Sequence, residues 1–189
     1  AGIRVFSTGG IGGVHRGAET SGDISSDLGA IAQHHVVTVC AGAKSFLDLP
    51  RTLEYLETLS VPVLGLGCDF FPEFTVERGD LKIPARVETI KELAEIVRAN
   101  DALGRNGGIL ACVPVPKKDG LLKSFMDEIT ATALNDANNQ GITGAAVTPY
   151  VLKFIANATH DASVKANLSL AENNALTAAQ LAVELSIAQ

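Results

Sequence analysis

The sequence is poor in positive charge and has no apolar run long enough to cross a membrane. It carries 15 lysine and arginine residues against 21 aspartate and glutamate residues, a formal net charge of −6. This acidic balance disfavours the polyanionic backbone of a nucleic acid as a partner, whereas a small phosphorylated ligand needs only a local cluster of donors. No apolar run approaches the ~20 residues that span a bilayer. The composition therefore predicts a protein with neither a nucleic-acid nor a membrane partner.

Cysteines are also few. The three cysteines are widely spaced, and each lies in or just after an apolar run: Cys40, Cys68 and Cys112. An odd number of scattered cysteines is typical of reduced core residues and not of a disulfide framework. The first residues also lack the basic and apolar regions of a signal peptide. Both observations predict a cytoplasmic protein, unless an organelle-targeting segment precedes residue 1.

Hydrophobic periodicity predicts a single α/β domain over residues 1–189. With 47% hydrophobic residues, the chain can bury one substantial core but hardly two. Short apolar runs rich in β-branched residues predict strands at 3–8, 36–40, 61–66 and 108–113. Residues 23–28 lead into a predicted helix that reaches about residue 33, and amphipathic stretches predict further helices near 47–59, 90–104, 121–139 and 162–185. One more predicted helix opens at Thr148. Strands that alternate with helices favour a mainly parallel sheet flanked by helices, with a helical C-terminal third.

Three local patterns refine this arrangement. Residues 68–84 are rich in Phe, Pro and Gly and predict an irregular excursion over the site. Thr148 followed by Pro149 predicts an N-cap and the first position of a helix. The alanine-rich last helix allows another helix to approach closely, as at a subunit contact.

A glycine-rich loop, GGIGG at 9–13, follows the first predicted strand. Its exposed backbone N–H groups can cradle an anion. The loop matches neither standard nucleotide fingerprint, because the dinucleotide pattern needs glycine where His15 stands and the P-loop pattern needs Lys-Ser/Thr directly after Gly17. His15 and Arg16 add donors that would strengthen a phosphate contact. From these residues alone, a phosphate site and a simple tight turn both stay open.

Two carboxylates and two hydroxyls follow within five residues, at Asp23, Ser25, Ser26 and Asp27. Oxygen ligands of this kind suit a hard divalent cation such as Mg²⁺ or Mn²⁺. The same residues also suit a helix N-cap with an acidic first turn. The local sequence favours the cap over the metal site.

Lys44 is the sharpest candidate for covalent chemistry. It lies just past the second predicted strand and ahead of a helix, where open α/β sheets bind their ligands. The small residues at 41–43 let backbone and substrate approach closely. A partly desolvated lysine beside a helix N-terminus has a lowered pKa and keeps part of its amine neutral and nucleophilic. The alternative is a solvated and inert loop lysine.

Three ordered blocks of this sequence resemble the signature of the pseudouridine-5'-phosphate glycosidases, also called indigoidine synthase A-like proteins. They are STGGIGGVHRGAET at 7–20, DISSDL at 23–28 and VCAGAKS at 39–45. Shorter matches continue to Asn173 and Asn174, so the similarity covers essentially the whole chain. The resemblance implies a Mn²⁺-dependent enzyme that reversibly cleaves pseudouridine 5'-phosphate to uracil and ribose 5-phosphate. It also implies a homo-oligomer, namely a homotrimer.

The resemblance also implies roles for single residues. The lysine that matches Lys44 attacks C1′ of the ring-opened ribose as a Schiff base, and the aspartate that matches Asp23 is a ligand of the Mn²⁺. Covalent catalysis suits a C-glycosidic bond, which lacks a heteroatom leaving group that protonation could expel. The implied substrate-binding positions are Thr8, His15, Ser25, Ser26, Asp27 and Asn167.

One part of the family pattern has no counterpart in this sequence. Family members have an N-terminal segment with a glutamate proton donor and a second lysine, whereas this chain opens directly on a predicted strand. The resemblance therefore predicts that the chain alone is inactive or nearly so, and that it regains activity when this segment is supplied. Two alternatives stay open: a noncatalytic remnant or assembly partner that retains the fold, and a lyase that acts on another sugar phosphate through Lys44.

Overall fold

The computed structural model of the chain describes residues 2–187, in which five strands lie parallel in one sheet. The strands are β1 (Val5–Ser7), β2 (Val37–Cys40), β3 (Val63–Leu66), β4 (Ala85–Val87) and β5 (Ile109–Cys112). Their order across the sheet is β1-β2-β5-β3-β4, and every neighbouring pair is parallel. The predicted parallel α/β sheet is confirmed.

Helices connect and flank the strands. They are α1 (Ala18–Ser21), α2 (Ser26–Gln33), α3 (Leu49–Thr58), α4 (Ile90–Ala102), α5 (Lys123–Asn139), α6 (Val147–Ala158) and α7 (Ala162–Ser186). The last three confirm the helical C-terminal third. Among residues 2–187, none of the helices combines the length and the hydrophobicity needed to cross a bilayer.

The two faces of the sheet carry separate apolar clusters, because side chains of a strand alternate between faces. Cys40, Leu110 and Cys112 pack on one face with buried residues of α2, α3, α5 and α6. Val39 and Ile109 pack on the other face with buried residues of α4 and α7. The central strands β2 and β5 are therefore covered on both sides, and the loops at their ends stand on a rigid base.

The cysteines lie where the sequence predicts. Cys40 and Cys112 are buried partners in the register of β2 and β5, and Cys68 is half-buried. All three are free thiols. Burial raises the pKa of the Cys68 thiol to about 11 and that of the Cys112 thiol well above its ordinary value. Cys68 and Cys112 are therefore protonated at neutral pH.

The structure differs from the sequence predictions at β4 and at the start of α6. The sequence gives no signal for β4, because this strand has only three residues, two of them exposed, at the edge of the sheet. The predicted N-cap at Thr148 is wrong: a 3₁₀ turn at Gly144–Ala146 runs into α6, whose first residue is Val147 and whose N-cap is Ala146. Pro149 therefore stands third in the helix, where it is still tolerated because the first-turn N–H groups have no intrahelical acceptor.

Candidate active site

The candidate site lies at the carboxyl edge of the sheet, where the segments that follow β1 and β2 pair with each other. The N–H of Ile11 donates to the carbonyl of Gly42 (2.9 Å), and the N–H of Lys44 donates to the carbonyl of Ile11 (3.1 Å). The glycine loop, residues 9–13, therefore lies directly against the segment that carries Lys44. This edge is where parallel sheets bind ligands.

Close contacts explain the glycines of this loop. A Cβ on Gly10 would stand 2.6 Å from the Phe74 ring, and a Cβ on Gly12 would stand 2.2 Å from the Ser25 hydroxyl oxygen. Real Cβ atoms do not approach other heavy atoms so closely, so any larger residue would push these side chains away. The glycines let the loop backbone lie between Phe74 on one side and the start of α2 on the other.

The loop presents its carbonyls to the protein. The side-chain amide of Asn174 donates to the carbonyls of Thr8 (2.8 Å) and Gly9 (3.1 Å). The Lys44 amine donates to the carbonyl of Gly10 (3.1 Å). Within residues 2–187, by contrast, the N–H groups of Gly9 and Gly10 have no hydrogen-bond partner. These two consecutive N–H groups are therefore available to donate to a bound anion.

Lys44 has the environment expected of a nucleophilic amine. Its side chain is half-buried, and its nitrogen is held at the glycine loop. Burial lowers the pKa of Lys44 below its ordinary value, and the negative charge of Asp27 opposes part of that effect. A larger fraction of the amine is therefore neutral near pH 7 than for an exposed lysine.

Ser25 and Asp27 both serve the start of α2 and the glycine loop. Ser25 is the N-cap of the helix, and its hydroxyl accepts from the N–H of Asp27 (3.2 Å). A carboxylate oxygen of Asp27 accepts from the N–H of Gly12 (2.7 Å). The local interpretation as a cap therefore holds for Ser25, while Asp27 ties the helix to the loop. Ser26 is exposed in the first turn of α2.

Asp23 faces a different cleft from Asp27. It lines a cleft of about 500 Å³ together with His15 and Arg16, and residues of α5 form the opposite wall. The ring nitrogen Nδ1 of His15 lies 3.8 Å from a carboxylate oxygen of Asp23. No group of three His, Cys, Asp or Glu side chains within residues 2–187 is placed to hold a metal ion. Asp23 and Asp27, four residues apart in the sequence, thus line different clefts.

Thr8 and Asn167 flank the glycine loop from opposite directions. Thr8 follows β1 and lines, with Asp27 and apolar neighbours that include Phe6, a second cleft of about 430 Å³. Asn167 is exposed on α7, and its side-chain oxygen lies 3.2 Å from the position of a Cβ on Gly9. Five of the predicted site residues therefore surround the loop: Thr8, Ser25, Asp27, Lys44 and Asn167. His15 and Asp23 face the neighbouring cleft, and Ser26 makes no contact that links it to the loop.

Two residues at the loop had no role in the sequence prediction. Phe74 adopts a left-handed backbone with φ of +61°, which is costly for an aromatic residue and tends to occur at functional sites. Asn174 is fully buried, and its side-chain oxygen has no hydrogen-bond partner within residues 2–187. Such a buried acceptor costs about 1–3 kcal/mol. The sequence did carry a signal for Asn174, a polar residue at helical spacing from buried residues such as Leu170 and Leu181.

Comparison with known proteins agrees with this geometry. Residues 1–184 match the family model described as "Indigoidine synthase A like protein". The chain is 49% identical to the pseudouridine-5'-phosphate glycosidase of Solibacter usitatus over 98% of its own length. It is also 49% identical to the enzyme of that name from Geobacillus kaustophilus, again over 98% of this chain. It spans 62% of the length of each of these relatives, about three fifths.

Two solved structures have the same fold. The prealnumycin C-glycosynthase AlnA, in complex with ribulose 5-phosphate, superposes with a TM-score of 0.91 at 36% identity, over 98% of this chain and 61% of the other. An indigoidine synthase A-like protein of Thermotoga maritima superposes with a TM-score of 0.87 at 32% identity, over 97% of this chain and 60% of the other. Sequence and structure comparisons thus point to the same group of proteins.

Proposed function

Because the chain belongs to the indigoidine synthase A-like family, we propose that it is the lysine-bearing part of a pseudouridine-5'-phosphate glycosidase. The reaction is the reversible cleavage of pseudouridine 5'-phosphate to uracil and ribose 5-phosphate. The observation that carries this proposal is the half-buried amine of Lys44, held at a glycine loop at the carboxyl edge of a parallel sheet. Relatives of that name align over 98% of the chain, and a structural neighbour binds a pentulose phosphate.

Lys44 carries the covalent step. The C1′–O4′ bond of pseudouridine 5'-phosphate breaks as a proton is delivered to O4′, and the neutral amine of Lys44 bonds to C1′ and loses a proton. The nitrogen lone pair then forms an iminium with C1′ while the C1′–uracil bond breaks, and a general acid delivers a proton to the uracil carbon. Water hydrolyses the iminium to ribose 5-phosphate and restores the amine. Burial lowers the pKa of Lys44, which supports this role because only the neutral amine can attack.

The glycine loop receives the phosphate in this proposal. The N–H groups of Gly9 and Gly10, which have no partner within residues 2–187, donate to the phosphate oxygens, and Thr8 lies beside them in the chain. His15 faces the neighbouring cleft and has less structural support as a phosphate contact. In this arrangement the sugar lies between the N–H groups of Gly9 and Gly10 and the amine of Lys44, within reach of Ser25, Asp27 and Asn167. The exposed position of Ser26 gives that residue the least structural support as a substrate contact.

A divalent cation, Mn²⁺ by family resemblance, is proposed at Asp23. The Asp23 carboxylate faces a cleft of about 500 Å³ that has room for a hydrated ion, and hard cations often keep several waters beside one or two carboxylates. The lack of a third ligating side chain within the described residues fits a largely hydrated ion better than a closed protein site. Such an ion would polarise and orient groups of the substrate.

The proposal extends to a homotrimer, as in the family pattern. The exposed face of α7 supports an assembly, since it presents Leu168, Leu176 and Val183 with between 60% and 64% of each side chain exposed. Exposed apolar stripes of this kind mark interaction surfaces. Light scattering of the purified chain tests this part, and a monomer at micromolar concentration would contradict it.

The test of the proposed function is borohydride reduction with ribose 5-phosphate, followed by peptide mass mapping, together with an assay of uracil release from pseudouridine 5'-phosphate with Mn²⁺. Both are run on this chain alone and mixed with the N-terminal segment of a relative. An adduct on Lys44 with uracil release supports the proposal. An adduct without uracil release in either preparation favours a lyase for another sugar phosphate. Neither adduct nor release in either preparation favours the noncatalytic alternative.

A further inference from the structure

We infer that Asn174 is a positioning residue that aims the N–H groups of Gly9 and Gly10 at a bound anion. The inference deepens the proposed function and rests on it for the identity of the anion as the phosphate of a sugar phosphate. Asn174 lies on α7, is fully buried, and donates both of its amide hydrogens to the loop, at 2.8 Å from the Thr8 carbonyl and 3.1 Å from the Gly9 carbonyl.

Because peptide groups are planar, these two contacts fix the directions of the N–H groups of Gly9 and Gly10. In a trans peptide the C=O of one residue and the N–H of the next lie in one plane and point in opposite directions. Holding the Thr8 carbonyl toward α7 therefore turns the N–H of Gly9 away from α7, and holding the Gly9 carbonyl does the same for the N–H of Gly10. These are the two loop N–H groups without a partner within residues 2–187.

The other contacts of the loop replace Asn174 at only one of the two carbonyls. The N–H of Ala41 also donates to the Gly9 carbonyl (2.7 Å), so that carbonyl has a second donor. The Thr8 carbonyl accepts only from Asn174 within the described part of the chain. Removing the Asn174 amide should therefore release the Thr8–Gly9 peptide first, and with it the N–H of Gly9.

The side-chain oxygen of Asn174 shows that stability alone does not explain this residue. That oxygen is buried and has no partner within residues 2–187. The amide cannot be turned over, because its oxygen would then face two carbonyl oxygens. An apolar side chain would match the buried neighbours Leu170 and Leu181 on the same face of α7 without leaving an unpaired acceptor. The two donors are what an asparagine adds at this position.

The experiment compares Asn174→Leu and Asn174→Ala with the same changes at Asn173, the adjacent and less buried residue of α7. Inorganic phosphate is titrated while the ¹⁵N–¹H resonances of Gly9 and Gly10 are followed by NMR. In the unchanged chain both resonances should shift saturably. The Asn174 variants should bind phosphate about tenfold more weakly, the size of one or two lost hydrogen bonds, and the Asn173 variants should stay within about twofold.

A second measurement separates positioning from a general loss of structure. Borohydride trapping at Lys44 is compared for ribose and ribose 5-phosphate. The Asn174 variants should lose about tenfold in preference for the phosphorylated sugar, with ribose trapping nearly unchanged, whereas a damaged fold would slow both reactions. If neither sugar is trapped by the unchanged chain, alone or mixed with the N-terminal segment of a relative, the proposed function fails while the phosphate titration still reports on Asn174. Phosphate that leaves both glycine resonances unmoved, or binds folded Asn174 variants with unchanged affinity, overturns the inference.

Discussion

The amine nitrogen of Lys44 lies 3.1 Å from the carbonyl oxygen of Gly10, so the backbone of the glycine loop holds the proposed nucleophile. The same loop is tied to α2, since the N–H of Gly12 donates to the Asp27 carboxylate at 2.7 Å. This short loop thus fixes the positions of the Lys44 amine, the Asp27 carboxylate and its own N–H groups at Gly9 and Gly10. A change that moves the loop should therefore displace all of these groups together.

Replacement of Lys44 by arginine should abolish adduct formation without unfolding the chain. Arginine keeps the positive charge, but its guanidinium does not become neutral in a protein and cannot form an iminium. The measurement is the yield of the borohydride-reduced ribose 5-phosphate adduct, with thermal unfolding as a check of the fold. Lys118→Arg, at an exposed position, is the matched control and should keep the full yield. An adduct that survives Lys44→Arg would move the covalent step to another lysine.

The pH dependence of adduct formation should reflect the pKa of Lys44. Burial lowers this pKa, so the neutral and reactive amine appears at lower pH than for an exposed lysine, and the trapping rate should rise with pH and then level off. The charge of Asp27 raises the same pKa, so Asp27→Asn should shift the rise to lower pH. Its amide oxygen can still accept from the N–H of Gly12, which preserves the loop. A shift to higher pH would contradict the charge effect, and Ser26→Ala should leave the profile in place.

The positions of four strands and of the long helices could be predicted because their signals are local and repeated. Helix α4 shows apolar residues at helical spacing behind the N-cap Thr89, and β2 is a continuous buried run. Strand β4 was not predicted because three residues at the edge of a sheet are too few to show a hydrophobic periodicity. The start of α6 was misplaced because a 3₁₀ turn extends the helical path ahead of Thr148.

The candidate site could be predicted only in part, because its assembly depends on distant segments. Lys44 and the glycine loop are close in sequence to strand ends, so their edge of the sheet could be inferred. The contact of Asn174 with Thr8 joins residues far apart in the chain, and no local pattern specifies it. The positive φ of Phe74 has no signal in the residue type, because an aromatic residue disfavours the left-handed region.

Asp23→Asn should weaken the binding of Mn²⁺ at least about tenfold, because it removes the negative charge of the proposed ligand. Loss of a residue that only supports a metal ligand already lowers metal affinity by about this factor, and loss of the ligand itself should cost no less. The measurement is the free Mn²⁺ signal in electron paramagnetic resonance during titration, which needs no activity. Glu19→Gln is the control: it removes an equal charge from an exposed residue that pairs with Arg51, and the Mn²⁺ affinity should stay nearly unchanged. Equal affinities for Asp23→Asn and the unchanged chain would leave Asp23 without a metal role.

Gly12→Ala and Gly29→Ala should change stability in opposite directions. A Cβ on Gly12 would stand 2.2 Å from the Ser25 hydroxyl oxygen and 3.1 Å from an Asp27 carboxylate oxygen, whereas a Cβ on Gly29 would meet no heavy atom within 4 Å. Gly12→Ala must therefore displace the N-cap of α2 as well as the loop, a combined cost of about 1–3 kcal/mol. Gly29→Ala replaces a helix-interior glycine and should stabilise the chain by about 0.5–1 kcal/mol.

Urea unfolding of both variants measures these changes, and the adduct yield at Lys44 measures their effect on the site. Gly12→Ala should lower the yield even under conditions where it is fully folded, because Ser25 and Asp27 move together with the loop that holds the amine. Gly29→Ala lies on the same helix but away from the loop, so its yield should equal that of the unchanged chain. A stable Gly12→Ala variant with full adduct yield would show that the close approach of the glycine loop to α2 is not needed for the chemistry.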